Sequence, residues 1–443
     1  MKKWQIESEV DPKSPAKEII ASLLAGRGLK TKKEIEQFTH PPDPYTLTAL
    51  DVGIHKGSLA VALKRIQKAI HDKESIVVYA DYDADGITAG TIMWETLYFL
   101  GAKVMPYIPH RAEEGYGLSK KGIDAVKAQY SPTLIVTVDH GITAWEKVAY
   151  AKELGIDVVI TDHHVKPAKL PDCPIVHTTA LCGAGVSWFV AKELLNESKE
   201  QRVESREKEL IALAAIGTIT DMVPLLGANR SIVKYGLAAI NHTTRVGLRA
   251  LMSEAGLTPG EIRTYNISHA LGPRLNAMGR LVHAMDALRL LCTKQEDKAV
   301  MLARKLGLTN KERQQMTIDT SLHATNLVNG ASKKSMKKLL FIAHESYNQG
   351  VIGLVAGKLV EEFYRPAIVV SQGELISKAS ARSIAGFNVV EAIRACSDIL
   401  VDVGGHPMAA GFTVETRFLT ELQRRLEEIA EKELDDEKLT RAL

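Results

Sequence analysis

From residue 75 onward, apolar positions come in short bursts. SIVVYA (75–80), KVMPYI (103–108), LIVTVD (134–139) and IDVVITD (156–162) are rich in valine and isoleucine, and helical spacing takes over between them, across Ile87–Leu100, Ser119–Gln129 and residues 143–154. Short β-branched runs that alternate with helices describe a parallel sheet covered on both faces, because a strand hidden on two sides has no polar face to show. The expected fold class is therefore α/β, with an N-terminal doubly wound parallel sheet. In such sheets, ligands collect beyond the carboxyl ends of the strands, where the connecting loops diverge.

Farther on the pattern changes. Residues 196–209, NESKEQRVESREKE, read as a solvated loop or helix surface, and from about Glu209 to Val328 the spacing is helical. The last part of that region, KQEDKAVMLARKLGLTNKERQQMTIDTSLHATNLV, has no proline and predicts one long connecting helix, ended by a boundary at NGASKKSMKK. LLFIAH, PAIVVS and ELISKASA then predict strands, with helices over Val351–Phe363 and Asn388–Cys396, so a smaller C-terminal α/β unit is expected. The final stretch from Thr416 has the spacing of a surface helix. The expected division is a helical lead-in over 1–74, a main domain over 75–290, the connecting helix over 291–335 and the second unit over 336–443.

Composition narrows the partners. The 443 residues are 45% hydrophobic and 25% charged, an ordinary globular balance. A net charge of +3 sets up no global basic field, so a polyanion would have to meet a local cluster of cations. Cys173, Cys182, Cys292 and Cys396 form neither a zinc pair nor a compact disulfide framework. MKKWQIESEVDPKS lacks an apolar stretch behind its lysines, and no run is long enough to span a membrane, so the expectation is a soluble cytoplasmic protein.

The chemistry lies where the strands end. Asp81, Asp83 and Asp85 sit at every second position after SIVVYA, and three like charges on one face would repel unless a cation joined them. Asp139 and His140 follow LIVTV, and Asp162, His163 and His164 follow DVVIT. Any one of these would serve as a helix cap. Three at the same point of successive βα units predict a shared metal site. Carboxylates and imidazoles without thiolates suit Mn²⁺ or Mg²⁺, and iron or zinc less well. So many acids suit a pair of ions able to clamp the oxygens of a phosphoryl group. Asp221, in GTITDMVPLLGANR, reads by itself as a helix terminator.

DYDADG, VDHG, DHH and GTITDMVPL, in that order, resemble the metal-site motifs of the DHH phosphoesterase superfamily. GPRLNAMGRL (272–281) and GGHPMAAGF (404–412) resemble two further signatures, the second from the associated DHHA1 domain. The branch most similar is the RecJ-type single-strand-specific exonucleases, and the likeness runs from about residue 15 to residue 430. It implies two divalent cations, Mn²⁺ or Mg²⁺, held by Asp83, Asp85, Asp139, His163 and Asp221. His164 would face the scissile phosphate, Asp162 would orient the neighbouring imidazoles rather than bind metal, and Asp81 would shape its loop. Arg111 in PHRAEEGYGL and Arg280 in NAMGR would meet the nucleic-acid backbone. Ser380, Arg382 and His406 would grip phosphates from the second unit, with Gly404 and Gly405 letting backbone amides approach in the GGH turn.

Some positions depart from the family pattern. Tyr79 stands where some members carry a metal-binding histidine, and His140 replaces a smaller residue, with a role other than ligand expected. The segment between CPIVH and LCGAGVSW is shorter than usual and lacks an Asn-Pro wall. Many RecJ-type enzymes continue into an oligonucleotide-binding barrel, where here a predicted helix follows. A weaker, more salt-sensitive hold on long strands is expected, with a single-strand-binding or helicase protein supplying further grip. The implied activity is metal-dependent 5′-to-3′ hydrolysis of single-stranded DNA in repair and recombination. The rival within the superfamily is a phosphodiesterase of short oligoribonucleotides, cyclic dinucleotides or small nucleotides, and the rival of another class is an inactive replication scaffold. The long helical middle argues against the first and the retained acids against the second.

Overall fold

Alternate residues of the first strand, Ile76, Val78 and Ala80, enter one hydrophobic core, while Val77 and Tyr79 between them enter another. A strand buried on both faces is what the unbroken apolar runs encode. In the computed structural model, residues 2–3, 11, 13–111, 113–196, 203–330 and 336–442 are described. Most of MKKWQIESEVDPKS, residues 197–202 of the charged run, and residues 331–335 of the NGASKKSMKK boundary lie outside the described residues. The chain forms two compact units, Arg27–Asn310 and Met1–Gly26 with Lys311–Leu443.

The first unit holds five strands, β1 (Ser75–Ala80), β2 (Lys103–Tyr107), β3 (Leu134–Val138), β4 (Asp157–Asp162) and β5 (Ile175–His177). All pair in parallel, in the order β2-β1-β3-β4-β5. The chain steps outward from β1 to β2 and then back across to β3, so the loops after β1 and β3 leave in opposite directions and open a crevice. One face is covered by α1 (Lys56–His71), α2 (Ala84–Phe99), α5 (Gly183–Asn196) and the helical region behind them, the other by α3 (Lys120–Tyr130) and α4 (Trp145–Glu153).

Helix α2, which carries Asp85, is buried almost all round. Its buried threonines satisfy themselves locally, Thr88, Thr91 and Thr96 each donating to the carbonyl four residues back at 2.7–2.8 Å. Glu95 near its end takes two bonds from Arg245, at 2.7 and 2.9 Å, and Arg245 also donates to the Leu291 carbonyl at 2.7 Å. Helices α6 (Val203–Thr220) and α7 (Gly272–Leu281) complete the surroundings of the site. The expected long helix is α8 (Glu296–Gly330), whose residues up to Asn310 belong to the first unit. Among the described residues no helix is long and apolar enough to cross a membrane.

The second unit is built on β6 (Leu340–His344), β7 (Ala367–Ser371), β8 (Ile376–Arg382), β9 (Leu400–His406) and β10 (Ala409–Glu415), in the order β9-β10-β8-β7-β6. Within this sheet β6 and β7 run parallel, joined by α9 (Ile352–Phe363), and the other pairs are antiparallel. Helix α10 (Val389–Arg394) starts one residue later than expected, with Asn388 as its cap, and ends two residues earlier, and α11 (Leu419–Glu433) is the predicted surface helix. Ala379, Ala381, Ala410, Phe412 and Val414 face the core, leaving Lys378, Ser380 and Arg382 on the opposite face. The expected GGH turn is corrected. Gly404, Gly405 and His406 end strand β9, paired with Gly411, Ala410 and Ala409, and the turn falls on Pro407 and Met408.

Candidate active site

The loops after β1, β3 and β4 converge at the carboxyl edge of the parallel sheet. Asp83 caps α2, accepting from the Gly86 amide at 2.9 Å. That turns Asp85 inward, where its two oxygens accept from the first amides of α5, Gly183 at 2.7 Å and Ala184 at 2.8 Å. A helix N-terminus is a favourable neighbour for a carboxylate. Asp139 follows β3 in a left-handed conformation, φ +67°, which for a non-glycine residue marks a position that the surroundings must enforce.

His163 stands among the acids. Its Nε2 is 3.1 Å from Asp139 Oδ1 and 4.0 Å from Asp85 Oδ2, and its Nδ1 is 3.8 Å from Asp221 Oδ2. Asp221 comes from far along the chain, in the turn that ends α6. Three groups, Asp85–His163–Asp221, Asp139–His163–His164 and Asp81–Asp83–Asp139, each offer donor atoms within 4.8 Å of one another. His163 joins the first two groups and Asp139 the last two. All five predicted ligands are thus together, and Asp81, expected only to shape its loop, also turns an oxygen toward them.

Electrostatics set this cluster apart. Burial, then the charge of Asp83, pushes Asp85 up to about 6. Burial, then Asp85 and Asp83, pushes Asp221 up to about 8. Asp139 and Asp81 are raised well above the usual carboxylate range, by burial first and neighbouring acids next. The buried Oδ1 of Asp81 has no hydrogen-bond partner, and that of Asp139 has His163 Nε2 beside it at 3.1 Å. Hard oxygen donors that are buried and mutually repelling fit divalent cations, which remove the conflict.

Asp162 is different because its carboxylate is fully used. Oδ2 accepts from the Ile142 amide at 2.8 Å, and Oδ1 accepts from the amides of His163 and His164, at 2.7 and 3.1 Å, and from His164 Nδ1 at 2.8 Å. Burial opposes its ionisation, yet the bond and charge of His164 and the amide bonds hold it below the usual range. His140 turns away, its Nε2 3.0 Å from the Tyr79 carbonyl, and burial lowers it to about 4.

Helix α7 braces the loop from 192 residues away, Asn276 Oδ1 accepting from the Ala84 amide at 2.8 Å. A Cβ on Gly279 would fall 2.2 Å from the Tyr82 carbonyl oxygen, so only glycine allows this approach. In the NAMGR stretch the arginine is the residue expected to matter, and Asn276, within the same motif, is the one that braces the loop. Arg111 lies over the Tyr82 ring at 5.0 Å, and Arg280 sits near enough for its charge to act on the same phenol. In the second unit Arg382 Nη1 donates to Ser380 Oγ at 3.3 Å, and the start of α9 comes so close that a Cβ on Gly353 would lie 2.9 Å from Ser380 Oγ. His406 shares a register row with Arg382 across Ala409.

Sequence comparison agrees with this architecture. Residues 75–218 match the DHH family, N-terminal domain, and residues 336–432 match the DHHA1 domain. A DHH domain followed by a DHHA1 domain is the class that the fold and site define. The single-stranded-DNA-specific exonuclease RecJ of Bacillus subtilis is 40% identical over 431 residues, 95% of this chain and 53% of that protein. RecJ of Dickeya dadantii is 32% identical over 461 residues, 98% of this chain and 78% of that protein. The crystal structure of Thermus thermophilus RecJ in complex with Mn²⁺ superposes with a TM-score of 0.80 at 32% identity, covering 96% of this chain and 60% of that one. A structure of exonuclease RecJ bound to manganese gives 0.75 at 34%, covering 85% of this chain and 95% of that one. The chain belongs to the RecJ family. It spans about half the length of the Bacillus relative.

Proposed function

We propose that the chain is a metal-dependent exonuclease that hydrolyses phosphodiester bonds of single-stranded DNA in the 5′-to-3′ direction. The observation that carries this reading is the convergence of Asp83, Asp85, Asp139, His163 and Asp221 at the switch point of the sheet, in a chain of the RecJ family. These five would hold two cations, Mn²⁺ or Mg²⁺, the ions named for the solved Thermus thermophilus relatives, with His163 and Asp139 common to neighbouring groups. When bound, such ions supply an activated water and stabilise charge on the phosphoryl oxygens.

The chain's own residues do the rest. Asp162 holds the His164 ring among the acids, where it would face the scissile phosphate. Arg111 and Arg280, beside the Asp81–Asp83 loop, draw in the backbone of the strand. In the second unit Ser380, Arg382 and His406, with the amides of Gly404 and Gly405, would take a phosphate at the strand's end. We further place the activity in the cytoplasm, on intermediates of DNA repair and recombination, with a single-strand-binding or helicase protein adding hold on long strands.

The test is hydrolysis, with Mn²⁺, of a strand of about 20 nucleotides labelled at either terminus, beside the same sequence as duplex and a dinucleotide. Mononucleotides released in order from the 5′ end of the single strand are expected. Cleavage of the dinucleotide alone would favour a small-nucleotide phosphodiesterase instead.

A further inference from the structure

We propose that Tyr116 is a positioning residue for His164, its hydroxyl holding the Nε2 side of the ring opposite Asp162. This rests on the hydrolase reading above and adds a residue to it. Asp162 Oδ1 already accepts from two backbone amides, so it is an acceptor for His164 Nδ1 as well, and Nδ1 carries a hydrogen. That leaves Nε2 as the working end of the ring. Its partner is the Tyr116 hydroxyl, at 3.1 Å.

The surroundings hold that hydroxyl in place. Tyr116 meets His164 edge-on, ring centroids 6.0 Å apart at 75°, and meets Tyr82 edge-on at 6.2 Å and 79°. Tyr82 in turn lies under Arg111 at 5.0 Å. Tyr116 remains 54% exposed, so core packing does not require an aromatic ring there. What the position offers is a hydrogen bond to the imidazole and a ring steered by the residues that flank the acids. A hydroxyl bonded to Nε2 keeps the imidazole from rotating away, in the free protein and while a strand is hydrolysed. Preserved orientation of this kind acts on the chemical step rather than on binding.

Tyr116→Phe keeps the ring and removes the hydroxyl. The expected result in single-turnover hydrolysis is a kcat lowered about three- to tenfold, the size of one neutral hydrogen bond, with KM within about twofold of the parent. In a His164→Ala background the same substitution should have no further effect, because the group it positions is gone. In metal-free protein with ¹⁵N-labelled histidine, Tyr116→Phe should move the His164 Nε2 resonance and leave Nδ1 in place. Equal loss of kcat in both backgrounds, a rise confined to KM, or an unmoved Nε2 resonance would overturn the proposal. The resonance decides it even if the parent hydrolyses no single strand, an outcome that would count against the exonuclease reading instead.

Discussion

Replacing Asp139 by asparagine separates what the acids do for the fold from what they do for function. Asp139 adopts φ +67°, which asparagine tolerates, so Asp139→Asn removes a charge without adding backbone strain. Its carboxylate has donor atoms within 4.8 Å of those of Asp81 and Asp83. Two full charges at that separation repel by about 3.5 kcal/mol at an effective dielectric near 20. Partial protonation already relieves some of this, so a gain of about 2 kcal/mol is expected for the metal-free protein. In a unit of this size that raises the melting temperature by about 4–8 °C. The assay is thermal unfolding at pH 8 in chelator and again with Mn²⁺. The variant should melt above the parent in chelator, lose most of the Mn²⁺-induced rise and hydrolyse no strand. A variant that melts below the parent in chelator would show that the cluster stores no repulsion. A full Mn²⁺-induced rise would remove Asp139 from the cation site.

The raised acids also predict a pH dependence. Asp85 and Asp221, at about 6 and about 8, favour their protonated forms in the folded protein, so the stability they contribute is present at low pH and lost as pH rises through those values. Melts of metal-free protein should fall between pH 5 and 9 and be restored by Mn²⁺ increasingly toward high pH, since ions compete with protons for the same oxygens; a flat profile in both series would contradict this. Gly279→Ala puts a Cβ 2.2 Å from the Tyr82 carbonyl, so a loss of about 1–3 kcal/mol and a kcat lowered more than KM is raised are expected from melts and steady-state kinetics. Glu95→Ala leaves Arg245 a buried cation stripped of its bidentate partner, and denaturant unfolding should register a loss of about 3–5 kcal/mol while the folded fraction stays active.

The elements and most of the clustered acids and imidazoles were legible because their signals are local. β1, β3 and β4 announce themselves through unbroken apolar runs, α8 through a long stretch without proline, and the acids through their place one to five residues beyond a strand. A strand's periodicity depends only on which of its faces are buried, and a residue past its end stays there whatever the neighbours do. Asp221 was different. Its own surroundings read as a helix end, and only motif order, not pattern, made it a candidate ligand.

Tertiary structure decided the remainder. Asp85 owes its two amide bonds to residues 98 and 99 positions away, Arg245 meets Glu95 across 150 and Asn276 meets Ala84 across 192. The order of the five parallel strands, the mixed directions of the second sheet, the place of His406 at a strand end rather than in a turn, and the inclusion of Asp81 among the acids came the same way. Hydropathy along a chain specifies which side chains leave water. It carries no term for which distant amide or carboxylate they will meet, because that partner is fixed by register and by the close approach of backbones, and those exist only once the whole chain has packed.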